Sequence, residues 1–177
     1  LVRTKYSQQF KGQTMWARIV SSLERDPARL RLIAEWAVQD VRNGHMVLIP
    51  FAHIVPIKAL VSAINKLAGK EIAFPFYGGI RKDKRKQYLQ WARQYKAKVL
   101  VGNIGLLSTG TNIPRASALY ETTLSSNEEN AEQRFSRVLT PFEGKPQPIF
   151  RIFLDNSNVR KNCLRNEWYR VMLPKFK

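Results

Sequence analysis

The chain has 177 residues, of which 44% are apolar, enough for one domain with its own core. Thirty Lys and Arg against thirteen Asp and Glu give a formal charge of +17, which argues for a polyanionic partner or an acidic surface and carries no information about base sequence. The lone Cys163 excludes an intrachain disulfide and a cysteine-based zinc site and favours a reducing, cytoplasmic compartment, while no apolar run approaches the roughly 18 residues of a membrane span and no signal-peptide pattern opens the chain.

Residues 1–25 read as a basic connector from an upstream domain, and Leu1 in place of Met suggests a fragment or a processed chain. Phe10, Met15, Trp16, Ile19, Val20 and Leu23 fit one amphipathic helix that Gly12 interrupts. Asp26-Pro27 is a helix start, with Asp as N-cap and Pro in the first helical position. Leu30, Ile33, Ala34, Ala37, Val38 and Val41 follow at helical spacing, and Asn43-Gly44 stops the helix. The run from Met46 to Phe51 is apolar throughout and bounded by turn residues, the pattern of a strand covered on both faces.

Val55, Ala59, Leu60, Ala63 and Leu67 set a second helix that closes at Gly69. The next strand runs from Ile72 to Phe76, with Pro75 restricted to its end or to a sheet edge. A Tyr77-Gly78-Gly79 turn leads into the cations Arg81 and Lys82, and Asp83 caps a helix whose apolar side is Tyr88, Leu89, Ala92 and Tyr95. Val99 to Val101 is a strand, Ser108 to Asn112 a polar glycine loop, and Ala116 to Tyr120 a further strand. A helix over 128–139 carries Gln133, Arg134 and Arg137, a strand spans Ile149 to Leu154, and residues 158–177 form a terminal helix. The alternation implies an α/β fold, a mainly parallel sheet with right-handed crossovers and helices on both faces.

Small hydroxyls, glycine backbone and cations therefore fall at strand ends, where α/β sheets bind phosphorylated ligands. His45 and His53 are the only histidines, too few for a metal site, and Trp36, Trp91 and Tyr95 at helical spacing read as core.

Gly110-Thr111-Asn112-Ile113-Pro114 resembles helicase motif V, and Gln133-Arg134-Phe135-Ser136-Arg137 resembles motif VI of the superfamily 2 helicases and translocases. Val47 to Phe51 sits where motif IV begins, and the Gly78-Gly79 turn with Arg85 matches the glycine-then-arginine element after it. The form Gly105-x-x-Ser108-Thr109-Gly110 is most similar to the phage branch-migrating DNA helicases. The resemblance runs over about residues 26–155, and the order of the landmarks is more specific than any one of them. It implies a RecA-like C-terminal motor domain over 26–177, with an N-terminal RecA-like domain of the same polypeptide as partner. DNA is the implied nucleic acid, RNA a possible one, and ATP with Mg²⁺ the implied ligand of the cleft between the two domains.

In that frame Arg137 is the candidate for meeting charge on the γ-phosphate and Gln133 for orienting it, while Gly110, Thr111, Asn112 and Arg134 face the nucleotide. Gly78, Gly79, Arg81, Lys82, Ser108 and Thr109 are the expected contacts to nucleic-acid phosphates, because glycine admits close backbone approach and hydroxyls donate without bulk. No G-x-x-x-x-G-K-[ST] loop and no Asp-Glu pair after a strand is present, so Mg²⁺ is left to the partner domain and the chain by itself is expected to be inactive. Two departures stand out: Ser136 occupies a usual glycine position, and Thr140 stands where the family commonly has a second arginine. A non-enzymatic nucleic-acid-binding module, or an RNA helicase domain, is the alternative reading.

Overall fold

The computed structural model describes residues 1–9, 16–109, 112–122 and 136–155, without the side chains of Trp16, Ser108 and Thr109. Six strands, β1 (Val2–Arg3), β2 (Met46–Phe51), β3 (Ala73–Phe76), β4 (Val99–Asn103), β5 (Ala116–Glu121) and β6 (Ile149–Leu154), form one sheet in the order β1-β6-β5-β2-β4-β3. Every pairing is parallel. β2 lies in the middle and all six of its residues are buried, as its unbroken apolar sequence requires. Its odd residues Val47, Ile49 and Phe51 pack on one face of the sheet, and Met46 and Leu48 pack on the other.

The first face is covered by α2 (Pro27–Arg42) and α3 (Ile54–Ala68), and the second by α4 (Lys82–Arg93) and the short α5 (Ile104–Thr109). Asp26 caps α2 by accepting from the Arg29 amide at 2.7 Å, with Pro27 next to it. Gly44, past the end of α2, has φ +88°, a conformation that glycine takes without steric cost. β3 is an edge strand, which explains how Pro75 is tolerated.

Residues 2–3 pair with β6, and α1 (Trp16–Arg25) buries Ile19, Val20 and Leu23. Several expectations about single elements change. The buried face of α3 is Pro56, Ile57, Leu60 and Ile64, while Val55 and Leu67 are 61% and 43% exposed. The real stripe lies about a residue round from the expected one, because the stronger apolar residues Ile57 and Ile64 take the core side. Asp83 does not cap α4: Arg81 is the N-cap residue and Asp83 pairs with its guanidinium. Tyr95 lies past the end of α4 with φ +58°, its ring still packed on the core. Ser108 and Thr109 end α5 instead of lying in a loop. The helix expected over 158–177 and most of that over 128–139 lie outside the described residues; 136–139 are helical.

Trp91 packs edge-on against Phe74 at 5.2 Å between ring centroids, in the core as expected. Trp36 is partly buried beneath the Arg151 guanidinium, 3.9 Å from its ring centroid, and Arg151 is itself held by Asp40. Asp40 also accepts from the Tyr120 hydroxyl, whose pKa burial pushes far up.

A Cβ on Gly102 in β4 would meet the Phe76 carbonyl oxygen at 2.5 Å and Leu107 Cγ at 3.0 Å. Gly102→Ala must therefore open the β3–β4 ladder and is expected to cost about 1–3 kcal/mol, seen as a lower urea midpoint. An unchanged midpoint would show that the edge strand yields freely.

Candidate nucleotide and nucleic-acid site

In an all-parallel sheet the loops after the strands leave from one edge, and here β4 lies between β2 and β3. The segments beginning at Ala52, Tyr77 and Ile104 are thus neighbours, stepped by the ~4.8 Å strand spacing. After β3, the Ile80 amide donates to the Tyr77 carbonyl at 3.1 Å and closes the Gly78-Gly79 turn. Both glycines lie in positions open enough for backbone to approach a ligand, with only the Tyr77 ring near Gly79. Arg81 and Asp83 form an exposed pair at 3.0 Å, a contact weak enough for Arg81 to exchange its carboxylate for a phosphate. Lys82 beside it is exposed. After β4, the Asn103 side chain accepts from the Gly105 amide at 3.1 Å and donates to the Ala52 carbonyl at 3.3 Å, tying the start of α5 to the end of β2.

Of the residues expected at the nucleotide, Gly110, Thr111, Gln133 and Arg134 lie outside the described residues. Asn112 is exposed, and its carbonyl accepts from Arg93 Nε at 3.0 Å. Ile113 is buried, and the Ala116 amide donates to its carbonyl at 2.9 Å, turning the chain into β5. Val138 is fully buried in the same cluster as Ile113 and Leu107. The Asn112 turn and the helical residues 136–139 thus each contribute one side chain to that cluster, and Arg137 is half-buried on the latter. Thr140 is exposed, and Lys145 Nζ donates to its carbonyl at 2.7 Å; burial pushes the Lys145 pKa down. Arg93 and Lys145 escaped the sequence reading, Arg93 as one more last-turn cation of a helix and Lys145 because no pattern surrounds it.

The largest omission is Glu24. This carboxylate is fully buried and accepts from the Ala52 amide at 2.7 Å, the His53 amide at 3.0 Å and His53 Nδ1 at 2.7 Å. It fastens α1 to the exit of β2 and fixes the orientation of the imidazole. A signal existed in the sequence, since Glu24 falls on the apolar side of α1 beside Val20 and Leu23.

No protein-family model matches the chain, and no curated protein matches it. Solved structures do. T4 UvsW superposes with a TM-score of 0.63 at 15% identity, over 87% of this chain and 32% of that one. The helicase MrfA bound to DNA and AMPPNP gives 0.65 at 17% identity, over 79% and 20%. The C-terminal domain of the DEAD-box protein Dbp5 gives 0.62 at 13% identity, over 96% and 86%. The fold is RecA-like. It is the all-parallel α/β fold of helicase C-terminal domains, and the chain spans about a third of the UvsW chain and a fifth of the MrfA chain.

At the carboxyl edge lie the Gly78-Gly79 turn and the exposed Arg81 and Lys82, whereas Asn112, four residues before β5 and bonded to Arg93 in the last turn of α4, lies towards the opposite edge, and Arg137 is half-buried on 136–139. Among the described residues no group of three His, Cys, Asp or Glu is placed to hold a metal ion. No helix among them is long and apolar enough to cross a membrane.

Proposed function

We propose that this chain is the second motor domain of an ATP-dependent DNA helicase or translocase of superfamily 2, most similar to the phage branch-migrating group. The observation that supports the reading is the RecA-like sheet on which Ile113, next to the motif V-like Asn112, and Val138, next to Arg137, are buried in one core cluster. ATP would lie between this face and a phosphate-loop domain that holds Mg²⁺. In this arrangement Arg137 meets charge developing on the γ-phosphate, with Gln133 orienting it. Gly110, Thr111, Asn112 and Arg134 face the rest of the nucleotide. Phosphoryl transfer depends chiefly on positioning and charge stabilisation, so such an arginine accounts for a large share of the rate.

Gly78, Gly79, Arg81, Lys82, Ser108 and Thr109 grip one strand's phosphates, and cleft opening and closing moves the grip along the strand. The resemblance of Gly105-x-x-Ser108-Thr109-Gly110 to the phage group favours DNA over RNA. MrfA is seen with DNA and AMPPNP, and domain 2 of the DEAD-box helicase Mss116p with an RNA duplex, so both polymers suit the fold.

The chain alone is expected to bind a DNA oligonucleotide with an affinity that falls steeply as salt rises, and to hydrolyse no ATP, because half the cleft is missing. Fluorescence anisotropy across a salt series and a DNA-stimulated ATPase assay check both. Turnover by the isolated chain would overturn the two-domain reading, and tighter binding to RNA than to DNA of matched sequence would favour the RNA helicase alternative.

A further inference from the structure

On α1, Arg18, Ser21, Ser22 and Arg25 recur at helical spacing and line an open cleft of about 450 Å³, with Ala17 as part of its floor and His53 as its far wall. Both arginines are exposed, and neither has a carboxylate partner among the described residues. On a chain with 30 cations to 13 anions, two cations facing one hydroxyl-lined cleft form an anion site in both charge and hydrogen-bonding capacity.

The wall is rigid. Ile19 and Leu23 pack with Tyr6 in a buried cluster of their own, and Ser22 is held from behind, accepting from the Tyr6 hydroxyl at 2.8 Å and donating to Gln8 at 2.6 Å. Ser21 and the two guanidinium groups remain for a ligand. Opposite them, Glu24 fixes the imidazole through Nδ1, which leaves Nε2 as the ring nitrogen without that bond. Glu24 itself is turned away, fully buried against two amides and the imidazole, so its charge does not confront the cleft. The positive end of the 15-residue α3 begins one residue beyond His53.

The cleft also has a definite place. It opens at the exit of β2, on the edge that carries the Gly78-Gly79 turn and the start of α5. We infer that the α1–His53 cleft is an additional phosphate clamp, in which Arg18 and Arg25 hold backbone phosphates of a nucleic-acid strand that has crossed the β3 and β4 loops. This rests on the proposed nucleic-acid function and extends the track beyond the motif loops, to a helix that the resemblance does not cover.

The experiment is a salt titration of single-stranded DNA binding by the unmodified protein, Arg18→Ala/Arg25→Ala, Arg18→Lys/Arg25→Lys, and Arg31→Ala, with thermal melts of each. Arg31 is an exposed α2 arginine paired with Glu35 and away from the cleft, so it reports the loss of general charge. Each phosphate contact contributes about 0.7 to the slope of log K against log salt for a single strand, so the double alanine variant should lose about 1.4 of slope with its melting temperature unchanged. The double lysine variant should keep the slope, and Arg31→Ala should leave it nearly untouched. An unchanged slope in the double alanine variant, or a loss per cation no greater than that of Arg31→Ala, overturns the clamp while the wider reading stands. No DNA binding by the unmodified protein at low salt would instead sink the proposed function itself.

Discussion

Under the proposed function, Arg137→Ala in a protein that joins this chain to a phosphate-loop domain is expected to lower kcat for ATP by roughly 10² or more, about 3 kcal/mol of transition-state stabilisation, with little change in DNA affinity. The argument is positional. Val138 is fully buried and Arg137 half-buried, so the backbone that carries the guanidinium is anchored in the core and the arginine is not free to drift along the surface. Arg137→Lys should fail almost as badly, since a point charge on a flexible stem does not reproduce a planar fork. Thr140→Arg gives the contrast. Thr140 is exposed, with its carbonyl accepting from Lys145, so there is room for the longer side chain, and a rise in turnover would mean that the missing second arginine limits the rate. Steady-state ATPase at saturating DNA on the three variants separates these cases. Turnover by Arg137→Ala at the unmodified rate would remove the motif VI assignment and leave 136–139 as a turn of basic surface helix.

What could be read from the sequence divides by the range of the forces involved. α2 and β2 were legible because their signals are local: Asp26-Pro27 specifies its own helix start, and Met46 to Phe51 has no polar side to expose. β1 was not, because two residues make a strand only when β6 supplies the partner and Thr4 reaches Asp155 across 151 positions. The end of α5, Ser108-Thr109, reads as part of a loop from its composition, yet the Asn103 side chain receives the Gly105 amide and so supports a first turn of helix that propensity alone does not favour. The face of α3 was misjudged by a residue because alanines are weak markers of burial beside Ile57 and Ile64. The site divides the same way. Asn112 and Arg137 were named by resemblance and stand on two segments packed in one cluster, whereas Glu24 was hidden by the habit of reading a glutamate as solvated. Its partners Ala52 and His53 stand 28 and 29 positions on, beyond α2, a distance no local pattern reports.

Arg29→Ala is expected to be the most destabilising single change, at about 3–5 kcal/mol. Arg29 is 1% exposed, yet it carries a full charge among groups drawn from four elements. Its Nε donates to Asp155 at 2.9 Å, its Nη2 donates to the Thr122 carbonyl, and Asp155 also accepts from Thr4. The side chain thus ties the start of α2 to the exits of β5 and β6 and to the end of β1. Truncation leaves the buried Asp155 without its guanidinium and the Thr122 carbonyl without its charged donor, and weakened groups of this kind carry most of the penalty. For a chain of this size the loss corresponds to a fall in melting temperature on the order of 10 °C. The attraction between two buried charges barely offsets their desolvation, so removing both should cost far less than removing one. Arg29→Met with Asp155→Leu is accordingly expected to regain most of the loss, to within about 1 kcal/mol of the unmodified protein. Urea denaturation of both single variants and the double one measures the coupling. A loss under about 1 kcal/mol for Arg29→Ala would show that water enters and solvates Asp155, while a double variant as unstable as the worse single one would show that the geometry of the clamp, not the isolated charge, is what the carboxyl edge needs.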